Sequence, residues 1–157
     1  MKHVITALVE NRPGVLARVV GLISGRGFNI EGLNVGPTQD PTTSRMTMTV
    51  PGDDRVLEQV TKQLNKLVDV IKVQDFREDE YVDRELILIK VGVDTKSRPE
   101  VMQICDIFRA KIVDVAHKAL TVEITGNESK VAAFIDLMTP FGIRDITRTG
   151  KVAMPRK

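Results

Sequence analysis

The chain has no tryptophan, a single tyrosine, one cysteine and two histidines in 157 residues. Each scarcity removes a class of function. Base-stacking platforms for nucleic acid need exposed aromatic rings, and the few aromatics here do not interleave with basic residues on any expected strand. One cysteine, Cys105, excludes an intrachain disulfide and a four-cysteine metal site. It lies among apolar residues at helical spacing, as a buried thiol does. His3 and His117 stand far from Cys105 in sequence and form no recognised motif, so they are expected to be exposed or locally hydrogen-bonded rather than catalytic. Charge of one sign is also lacking: 23 Lys and Arg against 21 Asp and Glu leave a formal +2, interspersed along the chain, which argues against a broad phosphate-binding surface. No apolar run is long enough to span a membrane, and Met1-Lys2-His3 leads into a short strand pattern rather than a cleavable signal. The expectation is a cytoplasmic protein bound to neither membrane nor nucleic acid.

What is present is a pattern stated twice. Val4 to Val9 is a β-branched apolar run, closed by Glu10-Asn11-Arg12-Pro13-Gly14. Leu16, Val19, Val20 and Ile23 then recur at helical spacing, and Ser24-Gly25-Arg26-Gly27 stops the helix. A strand is expected from about Phe28 to Val35, with a loop at residues 36–43. Met46, Met48 and Val50 then alternate with Arg45, Thr47 and Thr49, which predicts a strand with one buried and one wet face. Pro51-Gly52-Asp53-Asp54 is a turn and helix start, followed by an apolar stripe of Val56, Leu57, Val60, Leu64 and Leu67. Val68 to Val73 makes a fourth strand.

A charged stretch then breaks the periodicity, and the order begins again. Leu86 to Val93 reads as a strand, and Ser97-Arg98-Pro99 opens a helix carrying Val101, Ile104, Cys105 and Phe108. Two strands are expected at 112–116 and 120–125. Asn127 caps a helix bearing Val131, Phe134, Ile135 and Met138, which Pro140 and Gly142 end before a last strand, Ile143 to Thr147. Each half is strand, helix, strand, strand, helix, strand, the order of the split β-α-β or ferredoxin-like fold. The fold class is α+β, two tandem ferredoxin-like domains at residues 1–76 and 85–157 with a charged linker at 77–84. Such small domains have thin cores and short edge strands, and both favour association into a dimer.

Two segments are candidates for a ligand. In Asn11-Arg12-Pro13-Gly14-Val15-Leu16 a glycine precedes a helix whose first amides are free donors suited to a carboxylate, and Asn11 offers both a donor and an acceptor. Asn29, in Gly27-Phe28-Asn29-Ile30, brackets the same helix. Both segments also serve as ordinary turn and cap chemistry, and the residues alone leave the choice open. Gly21 to Gly27 falls at a helix end, whereas a dinucleotide fingerprint belongs at a helix start, so no cofactor site is expected. Asp53-Asp54 and Glu78-Asp79-Glu80 are better explained as helix start and solvated linker than as metal ligands.

Across its whole length the chain resembles the small regulatory subunits of acetolactate synthase, also called acetohydroxyacid synthase. The similarity runs through Asn11 to Leu16, Arg26-Gly27-Phe28-Asn29-Ile30-Glu31, Asp40-Pro41-Thr42 with Ser44-Arg45-Met46-Thr47, Gln63 to Val70, Arg84 to Val91 and Phe108 to Val115. The resemblance implies an N-terminal ACT domain and a related C-terminal domain, and an effector, valine or another branched-chain amino acid, bound where two copies meet. It implies that Gly14 and Val15 take the effector carboxylate, that Asn11 and Asn29 hold its polar groups and that backbone near Ile30 completes the pocket. It further implies a homodimer that activates a large catalytic subunit carrying thiamine diphosphate, a divalent metal and usually FAD. In that family's pattern this chain contributes no catalytic residue, metal or cofactor of its own. The competing readings are an amino-acid-binding module of some other enzyme, an autonomous enzyme and, on the shared fold alone, an RNA-binding module.

Overall fold

A computed structural model describes residues 2–76 and 80–157. The chain divides into two compact units, Met1–Val82 together with Gly150–Lys157, and Asp83–Thr149. No helix among the described residues is long and apolar enough to cross a membrane.

The first unit runs β1 (Lys2–Glu10), α1 (Val15–Gly25), β2 (Gly32–Pro37), β3 (Thr43–Pro51), α2 (Asp54–Leu64) and β4 (Val70–Phe76). Its antiparallel sheet has the order β2-β3-β1-β4, so β2 is an edge strand. The register places Ile5 opposite Met48 and Ala7 opposite Met46, and these side chains form the core with Val15, Val19 and Ile23 of α1 and Val60 and Leu64 of α2. Each fully buried aliphatic side chain there contributes roughly 1.5–3 kcal/mol of transfer free energy. Asp53 caps α2 by accepting from the amides of Arg55 and Val56, the arrangement that a helix start at Pro51-Gly52-Asp53-Asp54 predicts.

Five sequence expectations shift in this unit. The buried face of α1 is Val15, Val19 and Ile23, whereas Leu16 is 44% exposed. The second strand begins at Gly32 rather than near Phe28, and the fourth begins at Val70, leaving Val68 93% exposed. Thr47 and Thr49, expected on a wet face, are buried along with Val4 and Thr6 opposite them. His3 is buried with its Nε2 unpartnered; its pairing with Val50 puts it on the same side of β1 as Ile5 and Ala7, under the helices.

The second unit runs β5 (Tyr81–Gly92, whose first two residues group with the first unit), α3 (Arg98–Ile107), β6 (Lys111–Val115), β7 (Ala119–Gly126), α4 (Glu128–Met138), a 3-10 turn (Thr139–Phe141) and β8 (Ile143–Arg148), with strand order β6-β7-β5-β8. Ile87, Ile89 and Val91 face Ile124, Val122 and Leu120 across the ladder and pack under Val101, Cys105, Val131, Phe134 and Met138. Phe108 meets Phe134 edge to face at 5.5 Å. Asn127 caps α4 through the Lys130 amide, and Gly142 takes a φ of 92° where the 3-10 turn ends. Both repeats therefore build the same α+β split β-α-β unit.

Of the expected linker, residues 77–79 lie outside the described residues, and Tyr81–Arg84 are already strand. A further strand not expected from the sequence, β9 (Val152–Pro155), follows β8 and groups with the first unit. There the Arg156 amide donates to Glu80 O at 3.0 Å. A Cβ placed on Gly32 would stand 3.6 Å from Thr49 Oγ1 and 3.7 Å from Gly150 Cα, so this returning segment covers sheet that periodicity alone leaves open.

Candidate functional site

The junction between β1 and α1 is built from residues that hold one another rather than the helix end. Gly14 occupies the N-cap position in the left-handed region, φ 86°, and supplies no side-chain cap. Only glycine enters that region without steric cost, and the helix start is left without a side-chain acceptor for its first amides, four of which have no intrahelical partner. Partial positive charge collects there and favours an anionic group, beside the Arg18 guanidinium that lies over Gly14.

Asn11 is fixed by two bonds to the loop before β3: its amide donates to Thr42 O at 2.8 Å, and its Nδ2 donates to Pro41 O at 3.0 Å. That leaves the side-chain oxygen and the second Nδ2 hydrogen without a partner among the described residues. The loop is itself ordered by Asp40, whose carboxylate accepts from both the amide and the hydroxyl of Thr42 and is held below the ordinary carboxylate range by that hydroxyl first. An open cleft of about 410 Å³ is lined by Glu10, Asn11, Arg12, Pro41, Thr42, Thr43 and Ile71.

Arg12 and Arg18 were not singled out by the sequence, yet they set the geometry. Arg12 Nη2 pairs with Glu10 Oε2 and lies 3.0 Å from Asp69 Oδ1, while Arg18 Nε donates to Asp69 Oδ2 at 2.7 Å. The bond from Arg18 is the main reason the Asp69 carboxyl titrates below its usual range, against the opposing effect of burial, with Arg12 adding to it. Asp69 also accepts the Glu10 amide on its backbone oxygen at 2.9 Å. The start of α1, the end of β1 and the turn before β4 are thus one hydrogen-bonded unit. The signal was absent from the sequence because Asp69 lies 51 and 57 positions from its two arginines.

Ile71 reaches the cleft for a specific reason. The β1–β4 register passes from Leu8↔Lys72 to Val9↔Val70, so Ile71 is the unpaired residue of a β-bulge, and bulges turn a side chain out of the sheet's alternation.

The remaining candidates stand elsewhere. The Val15 side chain is buried in the core, and its backbone amide donates to Arg12 O at 3.4 Å, so a ligand there would have to replace that long bond. Asn29 is exposed and Ile30 packs partly against the core, both beyond the far end of α1. An 11-residue helix is about 16 Å long. The strand register agrees: Asn11 bonds beside the start of β3 at Thr42, whereas the Glu31 amide donates to Thr49 O near its end, roughly 20 Å along the strand. One chain therefore does not bring Asn11 and Gly14 together with Asn29 and Ile30.

Comparison with known proteins covers both units. Residues 5–72 match the family model of the AHAS small subunit-like ACT domain, and residues 84–157 match that of the small subunit of acetolactate synthase. The chain is similar to the probable acetolactate synthase small subunit of Archaeoglobus fulgidus, 56% identical over 156 residues that cover 99% of this chain and 98% of that one. It is 53% identical over 157 residues to the acetolactate synthase small subunit of Aquifex aeolicus, covering 99% of this chain and 82% of that one. The crystal structure of the acetolactate synthase small subunit from Thermotoga maritima superposes with a TM-score of 0.89 at 43% identity, covering 100% of this chain and 98% of that chain.

Proposed function

Because the chain belongs to the small-subunit family of acetolactate synthase and is a regulatory, non-catalytic subunit of that transferase, we propose that its first unit binds valine or another branched-chain amino acid in a pocket shared by two copies. The observation that carries this reading is the separation of Asn11 and Gly14 from Asn29 and Ile30 at opposite ends of α1. The edge strand β2 lies between them in the fold, with one row of backbone groups unpaired by β3. Two copies paired antiparallel along β2 would bring the Asn11 end of one beside the Asn29 end of the other, twice per dimer. The effector carboxylate meets the uncapped amides after Gly14, and the Asn11 side-chain oxygen accepts from its ammonium group. Asn29 and the backbone at Ile30 come from the second copy. Nearby apolar side chains select a small branched side chain, and one methylene more or less discriminates only weakly.

The large catalytic subunit carries thiamine diphosphate, a divalent metal and FAD in this reading, and the complex works in the cytoplasm. The effector inhibits by binding more tightly to the less active arrangement of the complex, since equal affinity for both arrangements shifts nothing. Calorimetric titration of the chain with valine, then leucine and isoleucine, tests the pocket. Saturable binding lost on Asn11→Ala and on Gly14→Asp is the expected result. Absence of binding by all three amino acids overturns a self-contained sensor and leaves activation of the catalytic subunit as this chain's role.

A further inference from the structure

The second unit repeats the bulge of the first with a different residue in it. Its β5–β8 register passes from Lys90↔Asp145 to Val91↔Ile143, so Arg144 is skipped, as Ile71 is skipped between β1 and β4. In both units the bulged residue faces the junction where the first strand leaves the sheet for its helix. In the second unit an open cleft of about 450 Å³ forms there, with Asp94, Ser97, Phe141 and Arg144 in its wall.

Three features of this cleft bear on what it could hold. The Arg144 side chain makes no hydrogen bond or ion pair among the described residues, although it lies against Gly92, where a Cβ would stand 3.3 Å from its Nε. The glycine lets the guanidinium rest on the strand backbone. Asp94, which also lines the cleft, is fixed in place: its Oδ1 accepts the amides of Lys96 at 2.9 Å and Ser97 at 2.7 Å, and these bonds, that of the Ser97 amide foremost, hold the carboxyl below its ordinary range. Finally, Asp94 and Arg144 share the cleft but form no ion pair with each other. Two opposite charges that line one cleft without pairing, with Val93, Pro140, Phe141 and Ile143 beside them, match a ligand that has one charge of each sign and an apolar side chain.

We propose that this cleft is a second small-molecule site, binding an apolar α-amino acid with its carboxylate on the Arg144 guanidinium and its ammonium group on the Asp94 carboxylate. A planar guanidinium presents paired donors suited to a carboxylate. The site is separate from the pocket of the first unit and involves none of its residues.

The test uses the full chain carrying Asn11→Ala, with alanine, valine, leucine and isoleucine as probes and the amide signals of Gly92 and Gly142 followed by NMR. The expected result is a saturable shift of both signals with at least one of the four. Arg144→Met should weaken binding at least tenfold, as should Asp94→Asn, which keeps an oxygen for the Lys96 and Ser97 amides and so preserves the turn. Isobutyrate and isopropylamine, each carrying one of the two charges, should bind at least tenfold more weakly than valine. The proposal is overturned if no amino acid moves these signals, if the shifts survive both substitutions, or if isobutyrate or inorganic phosphate binds as well as the amino acids, which would mark a bare anion site. Loss of effector binding at the first unit leaves these signals unaffected, so failures of the two sites are distinguishable.

Discussion

Gly14 and Arg18 lie one helical turn apart, and the arginine folds back over the glycine so that a Cβ at position 14 would stand 3.1 Å from Arg18 Nη1. The same guanidinium is held from the other side by Asp69. Position 14 is therefore constrained twice, by its φ of 86° and by a neighbour that has another bond to keep. Gly14→Ala is expected to destabilise the first unit by about 1–2 kcal/mol, the cost of a left-handed conformation for a residue with a Cβ. It should also raise the effector Kd on the order of tenfold, because the displaced guanidinium shifts the loop that bears Asn11; a tenfold change corresponds to ~1.4 kcal/mol. Urea unfolding and calorimetry measure the two effects separately. Unchanged affinity at reduced stability would detach the helix start from the ligand.

Asp69→Asn tests the tie itself. Since Arg18, and less strongly Arg12, lower the pKa of Asp69 in the folded state, the ionised carboxylate adds stability above its unfolded pKa of about 4. That contribution fades as pH falls through the lower folded value. The native chain should lose stability steeply on acidification below about pH 4, whereas the asparagine variant should start lower at pH 7 and show a shallower acid limb. Equal slopes in urea unfolding at a series of pH values would refute the assignment.

The parts of this molecule that were readable from its sequence are those set by nearest neighbours. Asp53 and Asn127 announce helix starts because a cap needs only the next two or three amides, and Met46, Met48 and Val50 announce a strand through simple alternation. The misreadings have physical reasons. In Val15-Leu16-Ala17-Arg18-Val19-Val20 a buried stripe can be drawn through Leu16 or through Val15, and the left-handed Gly14 sets which one turns inward. Thr47 and Thr49 look like wet-face residues because the segment that returns at Gly150 lies about a hundred positions away. Within the candidate site, Asn11 and Gly14 were legible as turn chemistry. Asp69 and the bulged Ile71 and Arg144 were not, since they acquire their positions only from strand register.

Cys105 offers a probe of opening. Burial, with the nearby Asp106 charge adding to it, pushes its thiol pKa up to about 11, so in the folded chain at pH 8 only about one thiol in a thousand is ionised. Labelling of the native chain by a disulfide reagent should be slow and should accelerate with urea in step with unfolding of the second unit. Rapid labelling without denaturant would contradict the burial of Cys105 on the core face of α3.

Phe134 is fully buried in that same core, edge to face with Phe108. Phe134→Ala removes a ring whose loss costs about 3–5 kcal/mol in comparable cores. The expected outcome is a second unit that unfolds at markedly lower urea, seen in the Cys105 labelling rate as an increase of at least a hundredfold, which corresponds to ~2.8 kcal/mol. A change below tenfold would mean that the cavity collapses and is refilled.

The strongest consequence of a pocket divided between copies concerns the edge strand. Val35 lies on β2 with 41% of its surface exposed, where the proposed second copy would pair. Lysine on an edge strand opposes strand addition because pairing must bury its charge. Val35→Lys should therefore shift sedimentation from dimer toward monomer and weaken effector binding in parallel, and raising the protein concentration should restore both. The expected coupling follows from geometry: Asn11 and Asn29 of one chain lie at opposite ends of α1, so under the proposed arrangement a monomer would retain only half of each pocket. A monomeric variant that binds valine with undiminished affinity would show that one chain suffices, and would move the Asn29 segment out of the site altogether.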